Sequence, residues 1–247
     1  MLGVVQAVAD FLVDERCHGC GARVSTRAKL PLPGHPASDA LDDPVRAFGI
    51  VRTRLLCRAC LHELDPWPRP VLLVERGRGA DAIEVYPTFT TDARLLALVH
   101  LLKFGRRACV APWLGRAMAR GLPARARAAD VLVTPVPMDD ASRRRRGFNQ
   151  AEALARALAR QWGLPLATGV IDKPAPTAAQ SLLGREARER NLAAAFGPGR
   201  RAALVTGRDV LLVDDLVTTG ATARACARAL RSAGAARVRV VCAGYRP

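Results

Sequence analysis

The stretch "VLLVDDLVTTGAT", residues 210–222, decides how this chain is read. Its first four residues are apolar on both faces of an extended chain, which suits an interior strand of a parallel sheet. Asp214 and Asp215 then fall at the carboxyl end of that strand, where ligands of open α/β sheets bind. The Thr-Thr-Gly-Ala-Thr run turns the chain into a helix. The first amides of a helix lack intrahelical partners and, with the positive dipole end, favour a phosphate. Gly220 allows close backbone approach, and Thr218, Thr219 and Thr222 add hydroxyl donors. Two carboxylates do not bind that phosphate; they suit vicinal hydroxyls beside it, or a hard divalent cation such as Mg²⁺. A sugar phosphate with free hydroxyls meets both demands. Asp and Thr also cap helices after strands with no ligand at all, and that plainer reading stays open. Other phosphate loops fit worse: no G-x-x-x-x-G-K-[ST] occurs, and no G-x-G-x-x-G follows a strand. A receiver-type acidic pair needs a further strand with a phosphoacceptor Asp downstream, yet only one helix and one strand remain.

Around this stretch the chain alternates between helical and strand patterns. Residues 91–105, TDARLLALVHLLKFG, place Leu95, Leu98, Val99 and Leu102 on one helical stripe ended by Gly105. Residues 131–137, VLVTPVP, read as a short buried strand closed by prolines. Residues 149–162, NQAEALARALARQW, carry Ala151, Leu154, Ala155, Leu158 and Trp162 on one stripe, with Asn149 and Glu152 at capping-box spacing. A helical piece over 185–195 follows, then a strand over 210–213, a helix over 221–233 ended by Gly234, and a last strand over 238–243. This alternation predicts an α/β fold, a parallel sheet with helices on both faces. The proline-rich DPWPRP, residues 65–70, interrupts the pattern, so the chain divides into residues 1–66 and 67–247. No internal repeat or long low-complexity tract is present.

The first unit carries paired knuckles, Cys17 and Cys20 in CHGC and Cys57 and Cys60 in CRAC. Two residues between cysteines let both thiolates reach one ion while backbone amides bond the sulfurs, so the quartet predicts structural zinc. Redox dithiols and a chance pairing are the alternatives, because the 36 residues at positions 21–56 exceed the usual spacing of roughly 15 to 20. His18 and His62 lie beside the knuckles, though four cysteines already close a structural site. The intervening LPLPGHP reads as irregular loop, and so small a module takes much of its folding free energy from the metal. Cys109, Cys226 and Cys242 sit in apolar or Ala-rich surroundings and read as buried and inert.

A hydrophobic content of 50% over 247 residues is enough for a full core. The net charge of +16 draws polyanions: nucleic acid, a membrane surface or phosphorylated ligands. Yet Lys29, Lys103 and Lys173 are the only lysines among 38 basic residues, and such an Arg, Ala and Gly excess also follows from G+C-rich codon usage. An aromatic content of 4% argues against extended stacking platforms for single strands. No uncharged apolar run of about 18 residues occurs, and residues 1–13 lack a basic n-region and include Asp10, so no membrane span is expected and a cytoplasmic protein is. Leu2, Val5, Ala9 and Leu12 share one helical face, which suits packing on the same chain or a membrane-surface helix. His35 and His100 show no partner spacing.

Position for position, residues 210–222 resemble the 5-phosphoribosyl-1-pyrophosphate (PRPP) signature of type I phosphoribosyltransferases. With the cysteine quartet, the chain resembles the ComF family of competence-related proteins, which place a small zinc-binding region before a phosphoribosyltransferase-like domain. LVHLLKFGRR resembles the family's Leu-rich helix ending in Lys, an aromatic and Gly. PVPMDDASRRRRGFNQAEALA resembles its stretch around an Arg-Gly-Phe-Asn-Gln-Ala core, and QSLLGREARERNLAAAF a later segment. The likeness departs in the loop between the knuckles and in KPAPTAAQ before Gln180. It implies a type I phosphoribosyltransferase-like sheet in which Asp214 and Asp215, the catalytic pair, contact the ribose 2′- and 3′-hydroxyls. It further implies that Thr218, Thr219, Gly220, Ala221 and Thr222 wrap the 5′-phosphate of PRPP or another ribose phosphate, that Lys103 contacts a phosphate, and that Mg²⁺ accompanies PRPP. A role in DNA uptake or natural transformation follows from it, with single-stranded DNA and other competence proteins as partners.

Arg143, Arg144, Arg145 and Arg146 precede Gly147, and guanidinium groups bind pyrophosphate oxygens bidentately. Arg146, nearest the glycine, is the one expected to reach the ligand; a solvated charge run in a loop is the alternative. Phe148 suits base stacking or an apolar pocket, and Arg185, Arg188 and Arg190 suit a lid, a nucleic-acid contact or plain solvation. Two classes of function stay open. One is a glycosyltransferase of nucleoside metabolism with an unspecified acceptor and no evident general base. The other is a non-catalytic single-stranded DNA-binding or adaptor module that retains the phosphate site.

Overall fold

The computed structural model describes residues 16–17, 19–22, 56–57, 59–60, 63–73, 82–104, 110–126, 130–173 and 195–246. Among these the element order is β1 (Val71–Leu73), β2 (Ile83–Thr90), α1 (Ala93–Phe104), α2 (Val110–Gly121), β3 (Leu132–Pro135), α3 (Asp140–Arg146), α4 (Gln150–Trp162), β4 (Ile171–Asp172), β5 (Gly197–Pro198), β6 (Asp209–Val217), α5 (Ala221–Ser232) and β7 (Arg237–Tyr245). The main sheet runs β1-β2-β7-β6-β3, and β4 pairs with β5 in a separate small ribbon. β2, β7, β6 and β3 are mutually parallel, and β1 alone lies antiparallel on β2.

Alternation along β6 and β7 divides the interior. Leu211, Val213, Val241 and Ala243 face a core built with α1, α2 and α4, while Val210, Leu212, Val240 and Cys242 face a second core closed by α5. The expected stripe of α1, Leu95, Leu98, Val99 and Leu102, is its buried face, and Asp92 starts the helix by accepting from the Leu95 amide at 2.8 Å. Helices thus cover both faces of a mainly parallel sheet, as the alternation implies.

Three local expectations are corrected. β6 does not stop at residue 213: pairing with β7 continues to Val217 opposite Tyr245, so both acids lie inside the strand. Pairing with β3 ends at Pro135 opposite Val213, which opens the β3 flank beside them. Asn149 caps α4, but by accepting from Ala151, while Glu152 turns outward to Arg143 and Arg156 instead of closing a capping box. The four arginines lie on α3, not in a loop, because Asp139 accepts from the Ser142 amide at 2.8 Å and nucleates the helix.

Residues 65–70 run beside β2, with Trp67 donating to the Thr88 carbonyl at 3.0 Å and Thr90 to that of Asp65 at 2.8 Å. The readings at residues 1–13, His18, His35, His62, Gly105, Cys109, Gln180, Arg185, Arg188 and Arg190 lie outside the described residues.

α2 and α4 meet at Gly115, where an added Cβ would stand 2.6 Å from the Ala157 Cβ and 2.7 Å from the Leu154 carbonyl oxygen. Forcing the helices apart costs about 1–3 kcal/mol. Gly115→Ala is therefore expected to lower the urea midpoint with an unchanged slope. Ala157→Gly added to it should recover only part, since the Leu154 contact remains.

Candidate functional site

The pleat of β6 separates its two acids. Asp215 shares the face of Leu211 and Val213, and its Oδ2 meets Lys103 Nζ of α1 at 3.0 Å. Its other oxygen accepts from the Leu216 amide at 2.7 Å. Asp214 shares the opposite face with Val210 and Leu212 and accepts from the Asp215 amide at 2.8 Å. Burial, then the neighbouring Asp215 charge, push its carboxyl up to about 8, against the pull of that amide and of Lys103 and Lys173. The shift favours the protonated form of Asp214 in the absence of ligand.

After β6 the side chains of Thr218 and Thr219 are exposed, and Gly220 adopts φ 75°. A Cβ there would come within 2.4 Å of Leu73 in β1, so both conformation and space demand glycine. No side chain caps α5; the acids bond to strand amides instead, so capping is not the work they do. The amides of Thr219, Gly220, Thr222 and Ala223 meet no acceptor among the described residues, while Ala221 has only a 3.4 Å contact to Thr219 Oγ1. Arg224 folds back to the Thr219 carbonyl at 2.9 Å and steadies the turn.

Two side chains that sequence reasoning left without a role converge here. Asp139, after β3, is held below the usual carboxylate range chiefly by the Ser142 amide, with Lys173 assisting, and its Oδ2 lies 3.6 Å from Lys173 Nζ. Lys173 follows β4, lies 5.8 Å from the ring centre of Phe196, and its charge is felt at Asp214. Lysines 103 and 173 thus serve the acid pair from opposite faces. A usable signal existed: in a chain that uses arginine almost everywhere, each lysine is an exception that places a compact ammonium. Arg146 sits at the rim, its guanidinium 5.3 Å from the ring centre of Phe104, the residue after Lys103, and bonded to Gln150 at 3.2 Å. Phe148 packs against the α1-side core.

The four predicted cysteines are gathered. The sulfurs of Cys17, Cys20, Cys57 and Cys60 all lie within 4.8 Å of one another, with Cys20 and Cys57 3.7 Å apart. A tetrahedral ion bound at about 2.3 Å needs sulfurs about 3.8 Å apart, so the cluster fits one metal ion. Burial raises the Cys17 thiol, but amides from Cys57, Cys20 and Gly19 outweigh it and bring the thiol down to about 6. Burial and the neighbouring thiols push Cys60 up to about 12. Cys17 and Cys60 pack with Leu56 and Leu64 into the α1-side core. Cys226 and Cys242 are fully buried, with thiols pushed up by desolvation, in keeping with inert packing.

Unfolded, Asp214 ionises near 4, whereas folded it keeps its proton to about 8. Its contribution to stability is complete below pH 4 and drains away as pH climbs to 8. Asp214→Asn removes that drain, so in urea denaturation between pH 5 and 8 the variant should gain on the parent as pH rises. Parallel stability curves would refute the raised pKa of Asp214.

The family model of the phosphoribosyl transferase domain matches residues 118–247. DNA utilization protein YhgH of Salmonella typhi is 34% identical over 236 residues, spanning 92% of this chain and 88% of the relative. Competence protein F of Haemophilus influenzae is 27% identical over 232 residues, spanning 91% and 87%. A solved allosteric regulatory enzyme of purine biosynthesis aligns at 23% identity with TM-score 0.42, over 59% of this chain and 30% of the other. Among the described residues, no helix is long and apolar enough to cross a membrane. The chain thus belongs to the phosphoribosyl transferase domain family, in the ComF branch that joins this domain to a four-cysteine cluster.

Proposed function

We propose that the chain binds PRPP, or a closely related ribose phosphate, at the carboxyl end of β6, and that this binding serves a cytoplasmic step of DNA handling. One observation carries the reading: two strand-borne acids, one paired with Lys103 and with the Lys173–Asp139 pair nearby, stand beside a helix start whose amides lack acceptors among the described residues. A ribose astride the strand end donates its 2′- and 3′-hydroxyls to Asp214 and Asp215. Its 5′-phosphate takes the free amides with the hydroxyls of Thr218, Thr219 and Thr222. Lys103, Lys173 and Arg146 face the pyrophosphate. In the free protein these lysines attend acids; bound hydroxyls relieve the acids and leave the ammonium groups for phosphate oxygens. The acid pair also suits Mg²⁺, which when bound neutralises pyrophosphate charge.

For a phosphoribosyl transfer, the C1–O bond breaks with its electron pair leaving on pyrophosphate, and the acceptor forms the new bond at C1. These cations stabilise the departing charge. The names of the relatives, DNA utilization protein and competence protein, support the cellular role, with single-stranded DNA and competence proteins as partners. The net charge of +16 favours a second reading, an adaptor that binds ligand and nucleic acid without turnover.

Calorimetry with PRPP and Mg²⁺ tests the site. Binding heat is expected for the parent and none for Asp214→Ala with Asp215→Ala. Lys173→Ala should weaken binding about 10- to 100-fold, the loss of one charged hydrogen bond of about 1.5–3 kcal/mol. Absence of heat with the parent, or unaltered binding in the double variant, would sink the reading.

We further propose that the cysteine cluster holds structural zinc in a unit of residues 1–66 whose stability is shared with the domain of residues 67–247. Cys17, Leu56, Cys60 and Leu64 pack into the same core as Phe89 and Leu95, which supports that coupling. Mass spectrometry under native conditions is expected to find one zinc per chain. Chelation should lower the single thermal transition rather than split it in two.

A further inference from the structure

α2 and α4 approach so closely at Gly115 and Ala157 that a groove of about 360 Å³ opens along their contact. Its floor is small and apolar, with Ala111, Pro112, Ala153 and Ala157, and its walls carry Arg116, Arg156, Arg160 and Gln161. Arg156 is partly neutralised by Glu152 at 2.9 Å, a carboxylate it shares with Arg143 at 2.7 Å. Arg116 and Arg160 face no carboxylate among the described residues, and the Arg116 charge depresses the guanidinium of Arg120 after burial does. Arg116, Arg156 and Arg160 therefore line one groove in which, among the described residues, only Arg156 has a carboxylate partner, an arrangement that seeks anions.

We propose that this groove holds the phosphodiester chain of a single-stranded nucleic acid, a surface separate from the β6 corner; the choice of occupant rests on the DNA-handling reading above. The cations are strung out: Arg156 and Arg160 stand one helical turn apart, about 6 Å along α4, and Arg116 lies on the facing helix. No closed cage for one small phosphate is formed. Among the described residues no aromatic side chain lines the groove, so these residues offer nothing on which bases stack, and recognition is of backbone charge without sequence. The groove is concave between two helices, which a flexible strand can enter and the convex surface of a duplex cannot. Arg143, on α3 and bonded to the same Glu152, extends the basic row toward the end of α3 where Arg146 meets Phe104.

The test is fluorescence anisotropy of the full chain with a labelled thirty-nucleotide oligothymidine, a hairpin duplex and poly-glutamate across a salt series. Oligothymidine is expected to bind best. Arg116→Ala, Arg156→Ala and Arg160→Ala together should weaken it at least tenfold and reduce the salt slope by about 2. Binding of PRPP by calorimetry should stay at the parent level, which also shows that the variant folds. Exposed Arg160→Glu alone, as a milder second variant, should weaken the oligonucleotide and spare PRPP. Unaltered binding in both variants, no binding by the parent in low salt, or equal binding of duplex or poly-glutamate overturns the proposal. A chain that fails to bind PRPP yet loses oligothymidine with the triple change would sink the ribose phosphate site and keep the groove.

Discussion

Alternation of side chains along an extended strand sends Asp214 and Asp215, neighbours in the chain, to opposite faces of the sheet. The consequences reach most of the site. Asp215 lands on the face of α1, where a lysine at the end of that helix is 3.0 Å away. Asp214 lands on the face of α5, near Cys226 and Cys242, where desolvation and its neighbour's charge push its carboxyl up. Had both acids faced one side, like-charge repulsion would have fallen on a single cluster. Split by the strand, each has its own surroundings, Asp215 beside Lys103 and Asp214 among apolar residues, and the open flank beyond Pro135 leaves both at the mouth of the sheet.

That division also explains which parts of the molecule were legible in the sequence. Period and apolar runs disclosed α1, α4, β6, α5 and β7, because the burial that fixes these elements is written in every third or second residue. The turn after β6 was legible for the same local reason, a glycine and threonines directly after a strand. Asp139 and Lys173 were not, since their 3.6 Å contact joins segments 34 residues apart (173 minus 139) and nothing in either segment points to the other. The helix that carries the arginine run was not legible from composition, since a string of like charges also suits a loop; Asp139 ahead of it and the helix's own terminal carbonyls make a short helix favourable. Glu152 had the spacing of a capping box, but two guanidinium groups compete for its carboxylate more strongly than one amide does.

The two ends of the sheet differ in how tightly their charges are matched. At the amino end Arg239 is buried in β7 and enclosed by Asp209 at 3.0 Å and Glu84 at 3.4 Å, with the Tyr86 hydroxyl donating to Glu84 at 2.8 Å. A guanidinium so enclosed has no charge to offer, and removing either acid would strand it in a low-dielectric interior. At the carboxyl end the groups are of the same kinds but their pairing is looser. Lys103 and Lys173 stay about a quarter exposed, Lys173 stands at ion-pair rather than hydrogen-bond distance from Asp139, and the Asp214 carboxyl is pushed up by burial and its neighbour's charge. Charges that are adequately but not fully matched can change partners at small cost, whereas the amino-end network cannot. The capacity to exchange partners therefore belongs to the end where β6 meets α5, and it arises because that end borrows its cations from side chains reaching in from α1 and β4 instead of building them into the strands.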